Sequence, residues 1–232
     1  MKERNDKNYL VVDFDSTFVK LESLDNLADF ALEGNPQKKQ ILQQVETTTK
    51  LGMEGKITFP QSLSRRLKLF SANKQHINKL IEKLSDNISE SIKKNQNFFR
   101  ENSDKIYIIS GGFIDYIAPI AQNFGVAWDH ILANEFCFNK RDRITGINKE
   151  NCLAQQEGKV KAVNALDLDG TIWVVGDGFT DYEIKKAGSA DKFVAFVENV
   201  KRDNIIEKAD HTIENFDDLK RLIEEHKNKM DI

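Results

Sequence analysis

The stretch Tyr9-Leu10-Val11-Val12-Asp13-Phe14-Asp15-Ser16-Thr17 decides how the rest of this chain is read. An aliphatic run that ends in acids reads as a buried parallel strand, one that delivers its carboxylates to the open carboxyl edge of an α/β sheet, where ligands bind. Because side chains alternate along a strand, Asp13 and Asp15 can approach one centre while Phe14 points away from it. Two acids that close repel unless they share a proton or a cation. A hard divalent ion such as Mg²⁺ resolves the repulsion and leaves one carboxylate oxygen able to attack phosphorus. Taken alone, the pair could also begin a turn or cap the next helix.

Three later segments favour the chemical reading. After the apolar run Ile106-Tyr107-Ile108-Ile109 comes Ser110-Gly111-Gly112-Phe113, a hydroxyl followed by unobstructed backbone amides, which is an anion cradle at a strand-to-helix turn. After Ile172-Trp173-Val174-Val175 comes Gly176-Asp177-Gly178-Phe179-Thr180-Asp181, two more acids at a strand end that can complete a metal site. Between them Lys159 opens a helical pattern with Val163 and Leu166 on its apolar face, which aims its ammonium at the same edge. Lys161, two residues on, is the alternative. The similar Asp167-Leu168-Asp169-Gly170-Thr171 precedes its strand instead of following it, and reads as a turn.

The order acid pair, hydroxyl with glycines, lysine, second acid pair resembles the haloacid dehalogenase superfamily of phosphotransferases. Within it the chain looks most like the phosphoserine phosphatase branch. Further support comes from Glu22, Leu24-Asp25-Asn26-Leu27-Ala28, Met53-Glu54-Gly55-Lys56, Phe59, Gln61-Ser62-Leu63 and Arg66. The segment from Ala133-Asn134-Glu135-Phe136 to Ile144-Thr145-Gly146 looks like the hairpin flap beside the site in that family. The resemblance implies that Asp13 forms an aspartyl phosphate, while Asp15 protonates the leaving alcohol and later takes a proton from water. Mg²⁺ would be held by Asp13, the backbone carbonyl of Asp15, and Asp177. Ser110, the Gly111 amide and Lys159 would bind the phosphoryl oxygens. Asp181 would orient a metal-bound water or Lys159, or else cap the helix beginning at Tyr182. Glu22 would pair with the ammonium of O-phospho-L-serine and Arg66 with its carboxylate, under an apolar lid of Met53 and Phe59. For Glu22 and Arg66 the plain alternative is surface charge, and for Met53 and Phe59 ordinary core. Thr180 departs from the Asn that the family often carries there, which alters a contact near the substrate.

Composition fits a small-molecule enzyme. The 232 residues carry 34 basic and 37 acidic side chains, net −3, with no basic excess for nucleic acid. No run approaches the roughly 18 apolar residues of a membrane span. Cys137 and Cys152 lack metal-ligand spacing and Met1 to Asn8 is charged, which points to a reducing cytoplasm. The fold expected is α/β: a Rossmann-like parallel sheet core from residues 1–20 and 97–232, with an inserted helical-bundle cap over 21–96. Helical spacing recurs within that cap at Leu24, Leu27, Ala28 and Ala31, at Leu63, Leu67 and Phe70, and at Ile77, Leu80, Ile81 and Leu84. Core strands are expected near 106–110, 172–176 and 193–196, and Pro36, Pro60 and Pro119 at turns or helix first turns. The cap leaves monomer and homodimer open. Rival functions are turnover or transfer on another small phosphomonoester, and a catalytically silent regulatory domain.

Overall fold

The computed structural model describes residues 7–230; the outer limits of the expected core, at 1 and 232, and the charged Met1 to Asp6 lie outside the described residues. Eight strands are present among them: β1 (Asn8–Val12), β2 (Ile106–Phe113), β3 (Ile131–Asn134), β4 (Phe136–Phe138), β5 (Ile144–Ile147), β6 (Thr171–Gly176), β7 (Lys192–Phe196) and β8 (His211–Ile213). Six form one sheet in the order β3-β2-β1-β6-β7-β8, every neighbouring pair parallel. The strand order reverses between β1 and β6, so the crevice above their carboxyl ends is the switch point where open α/β sheets bind ligands. Val12 pairs with Val175, which brings Asp13 and Asp177 to that crevice as chain neighbours of the last paired residues.

Both faces of the sheet are covered, and the alternation within each strand says by what. Leu10, Val12, Ile106, Ile108, Trp173 and Val175 belong to one apolar cluster, while Val11, Ile109, Val174 and Phe193 belong to the other. The first cluster contains a run of aromatics that anchors the loop after β1. Phe14 stacks on Phe18 at 5.7 Å between centroids, and Phe18 meets Phe99 edge-on at 5.5 Å and Phe124 at 5.0 Å. Within that loop Ser16 adopts φ +53°, a left-handed conformation that a non-glycine residue holds only when its surroundings fix it.

Between β1 and β2 the chain is helical: α1 (Ser23–Ala31), α2 (Lys38–Met53), α3 (Phe59–Leu67), α4 (Lys74–Asp86), α5 (Glu90–Lys94) and α6 (Gln96–Glu101). Thr58 and Gln61 form a reciprocal cap on α3, with Pro60 in its first turn, and Asn73 caps α4 through the His76 amide. The chain leaves and re-enters the sheet region side by side, Val19 bridging Ile88, with Lys20 N–H donating to the Asn87 carbonyl at 2.8 Å. α5 is tied to the sheet side, since Ser91 N–H donates to Glu198 at 3.1 Å and Asn95 to Asp217 at 3.1 Å. The β4–β5 hairpin reaches the other way, with Ile144 N–H donating to the Ala72 carbonyl at 3.0 Å.

The remaining helices are α7 (Ile114–Asn123), α8 (Gly158–Ala165), α9 (Phe179–Lys186), α10 (Asp203–Ile206) and α11 (Phe216–Met230). None among the described residues is long and apolar enough to cross a membrane. Several expectations need correction. Pro119 sits inside α7, not at a turn or first turn; it is on the exposed face, where water can solvate the carbonyl it leaves unpaired. Phe70 lies beyond α3, which ends at Leu67. β2 runs through Ser110 and both glycines to Phe113, which pairs with Asn134 across an irregularity. Ala133 and Asn134 are thus sheet residues, and the hairpin begins only at Phe136. Asp167-Leu168-Asp169-Gly170 forms the irregular lead into β6, with Asp167 at φ +46°.

Truncating Phe18 tests the aromatic anchor. Phe18→Ala should lower unfolding stability by about 3–5 kcal/mol in chemical denaturation, the range for a buried aromatic whose cavity does not collapse.

Candidate active site

Asp13 follows β1 and is almost fully buried. Its Oδ1 accepts from the Phe14 amide at 2.7 Å and from Lys159 Nζ at 2.8 Å. Oδ2 has no hydrogen bond among the described residues and is the oxygen available for chemistry. Lys159, at the start of α8, also donates to Asp181 Oδ1 at 2.7 Å. Burial works against its ammonium, but the charges of Asp13 and then Asp181 outweigh that and hold its pKa above the usual lysine value. Lys161 points elsewhere and donates to Gln155 at the exposed surface, 3.0 Å.

Asp15 turns away from Lys159 toward the helical side. Its Oδ1 accepts from the Ser23 amide at 3.1 Å and from the Ser23 hydroxyl. Burial, then the charge of Glu22, lifts its carboxyl well above the ordinary range. Two acids two residues apart thereby sit in different environments, Asp13 against the Lys159 ammonium and Asp15 against the amide and hydroxyl of Ser23. The Ser110 hydroxyl accepts from the Gly112 amide at 3.0 Å, and Asn134 Nδ2 donates to the Gly111 carbonyl at 2.8 Å, fixing this turn. Gly111 must lack a side chain, because a methyl there would come within 2.5 Å of the Phe59 ring.

Asp177 stands just past β6, where Thr17 Oγ1 donates to its Oδ1 at 3.4 Å and Arg202 donates to its Oδ2. Asp181 is the third residue of α9 and accepts from the Gly178 amide at 3.2 Å as well as from Lys159. The helix starts at Phe179, three residues before the expected Tyr182, with Gly178 as its cap residue, so Asp181 lies inside its first turn and accepts there from the Gly178 amide and from Lys159. Gly176 leaves the room for it, since any side chain there would collide with its carboxylate.

One cavity is lined by Asp13, Asp15, Glu22, Met53, Phe59, Arg66, Ser110, Gly111, Lys159 and Thr180. Every candidate except Asp177 and Asp181 borders it, and those two stand behind Asp13. Glu22 accepts from Ser16 Oγ at 2.8 Å and lies 3.6 Å from Arg202; burial, then Asp25, raises its pKa. Arg66 is buried, donates to Thr49 at 3.1 Å, lies 3.6 Å from Asp25, and leaves Nε unpartnered. Neither is an ordinary surface charge. Arg202, Ser23, Asn134 and Thr49 were not legible as site residues. Arg202 follows β7 within a charged run, and only its position past a strand's carboxyl end hints at the crevice.

Oxygens of Asp13, Asp177 and Asp181 all lie within 4.8 Å of one another. Burial lifts Asp177 well above the ordinary carboxylate range against the pull of Arg202, and burial followed by the Asp13 charge pushes Asp181 up to about 7. Three hard oxygen donors in one buried spot, short of positive charge, suit a divalent cation.

The chain belongs to the haloacid dehalogenase-like hydrolase family, whose model matches residues 10–184, and it is a phosphatase. It is 32% identical over 214 residues to the chloroplastic phosphoserine phosphatase of Arabidopsis thaliana, an alignment spanning 89% of this chain and 68% of that one. The crystal structure of a phosphoserine phosphohydrolase-like protein from Francisella tularensis superposes with TM-score 0.84 at 30% identity, covering 94% of this chain and 100% of that one. A phospho-aspartyl intermediate analogue of phosphoserine phosphatase shares the fold at TM-score 0.74 and 24% identity, over 94% and 99% of the two chains.

Raised carboxyl pKa values make the metal-free protein pH-sensitive. The folded chain keeps protons that the unfolded chain releases, so this stabilisation is complete below about pH 4 and is lost as pH climbs through the Asp181 value. Melting temperature without metal should therefore fall between about pH 4 and 7. A millimolar divalent cation should raise it more at pH 8 than at pH 5, by roughly 2–4 °C per kcal/mol of binding.

Proposed function

We propose that this protein is a Mg²⁺-dependent phosphomonoester hydrolase working through an aspartyl phosphate, and that its substrate is O-phospho-L-serine, released as L-serine and phosphate. The observation that carries the reading is the contrast between neighbours: Asp13, with one oxygen held by the Phe14 amide and Lys159, and Asp15, held by Ser23 with its carboxyl pKa lifted by burial, border the same cavity.

Asp13 Oδ2 attacks phosphorus while Asp15 gives its proton to the departing serine oxygen, so the phosphorus–oxygen bond breaks without releasing an alkoxide. Asp15, now a carboxylate, takes a proton from the water that attacks the phosphoenzyme, and Asp13 is regenerated. Ser110, the Gly111 amide and Lys159 hold the phosphoryl oxygens in line. Asp13, the Asp15 carbonyl and Asp177 would hold Mg²⁺, with Asp181 positioning Lys159. The ion, when bound, neutralises charge on the transferring group.

Glu22 would receive the ammonium and Arg66, through its unpartnered Nε, the carboxylate. Met53 and Phe59 close the site from above: a methyl on Gly178 would lie 3.2 Å from the Met53 sulfur, and Phe59 covers Gly111. The helical segment 21–96 would serve as the cap on a core of 1–20 and 97–232, with α5, bonded to the core side, as its return hinge. The two unpaired cysteines, Cys137 and Cys152, suit a reducing cytoplasm, and the reaction would be a serine-forming step of amino-acid biosynthesis.

Phosphate release from a panel of phosphomonoesters tests the reading. Phosphoserine should be the best substrate, EDTA should abolish turnover and Mg²⁺ restore it. Asp13→Asn should lower kcat by at least on the order of a thousandfold. Arg66→Ala should lower kcat/KM for phosphoserine roughly 10- to 100-fold while leaving p-nitrophenyl phosphate nearly untouched. A panel on which phosphoserine ranks with unrelated esters, or an Arg66→Ala protein that treats both esters alike, would contradict the substrate assignment.

A further inference from the structure

Tyr116 borders the same cavity, and none of the steps above gives its hydroxyl a task. The side chain is fully buried, and its O–H finds no acceptor among the described residues. Its ring is fixed between Phe14, at 6.5 Å between centroids, and Phe113, at 6.1 Å. The oxygen ends beside the phosphate turn, where a methyl on Gly112 would lie 2.9 Å from it and 3.3 Å from Ser110 Oγ. The other buried residues of α7, Ile117, Ala118, Ile120 and Ala121, pack without polar atoms, and a phenylalanine at 116 would complete that pattern. A buried donor left without a partner destabilises the free protein. A rigid ring that keeps such a donor at a cavity wall is pre-organised for a ligand.

We propose that Tyr116 is a specificity-determining residue whose hydroxyl donates a hydrogen bond to an acceptor oxygen on the substrate's leaving group, next to the part that Arg66 binds. Asp15 and Arg66 share the cavity with it and lie close enough for their charges to act on its hydroxyl, so the oxygen stands between the phosphate turn and the side of the cavity that Arg66 lines. The class selected is a phosphate ester of a hydroxy compound bearing a carboxylate close to the ester oxygen, over aryl or simple alkyl esters. This deepens the function proposed above and rests on it for the identity of the ester.

Tyr116→Phe removes one oxygen and keeps the ring. KM for phosphoserine should rise roughly three- to tenfold with kcat changed less than about twofold, and neither constant should change for p-nitrophenyl phosphate. The melting temperature of the variant should equal or exceed that of the wild type, because the unpaired hydroxyl is gone. If both esters shift by the same factor, or neither shifts, the proposal is overturned. Should the variant fail to fold, fluorotyrosine placed at position 116 alone gives a second readout. Its fluorine resonance should move on titration with L-serine, and a resonance that stays fixed at saturating L-serine overturns the proposal. The two readings fail separately. Wild-type protein that ignores phosphoserine but hydrolyses another ester defeats the substrate assignment, and the Tyr116 comparison is then run on that ester. Phosphoserine turnover that Tyr116→Phe leaves unchanged defeats only the role of Tyr116.

Discussion

Lys159 donates to Asp13 and Asp181 at once, 2.8 and 2.7 Å, in a place from which water is almost excluded. Three facts of the fold make that contact possible. β1 and β6 are parallel neighbours in register, α8 begins over their carboxyl ends, and Asp181 rides in the first turn of α9 with Gly176 leaving it room. A buried ammonium with a single partner is costly, and a second carboxylate adds an attraction and a hydrogen bond that offset part of that cost. The clamp fixes Asp13 through one oxygen only and so leaves the other for reaction.

Around that clamp the acids outnumber the cations. Among the described residues, Asp13, Asp15, Glu22, Asp25, Asp177 and Asp181 face Lys159, Arg66 and Arg202, and burial raises the carboxyl pKa of Asp15, Glu22, Asp25, Asp177 and Asp181. Asp15, bonded to Ser23 and not to Lys159, is lifted by burial and then by the charge of Glu22. Asp177 and Asp181 stay in the unfavourable position of buried acids short of counter-charge. Burial by α2 and α3 is therefore part of the chemistry, because Met53, Phe59 and Arg66 are what dry the crevice.

Much of this was legible in the sequence because strand ends concentrate chemistry. A four-residue aliphatic run followed by acids has few other readings, and three such runs in order located Asp13, Ser110 and Asp177. The phase of Val163 chose Lys159 over Lys161 on the same logic, one face of α8 being buried. α2 escaped specific notice because only Val45 and Thr49 of its sixteen residues are buried, too few to write a period. β3 and β8 are four and three residues long, shorter than any pattern can signal. Pro119 was misjudged because exposure, not sequence, decides whether a helix tolerates it. Arg202 meets Glu22 and Asp177 across long separations in the chain, and local periodicity carries no information about such partners.

The account stands on the side chain that meets phosphorus. Trypsin should cut after Lys7 and Lys20 to give the peptide 8–20, which contains Asp13, Asp15, Ser16 and Thr17. Acid quench during turnover, borohydride reduction and mass spectrometry of this peptide should find homoserine at position 13, the reduced form of an acyl phosphate there. Modification at position 15, phosphate on Ser16 or Thr17, or an unmodified peptide during rapid turnover would contradict it.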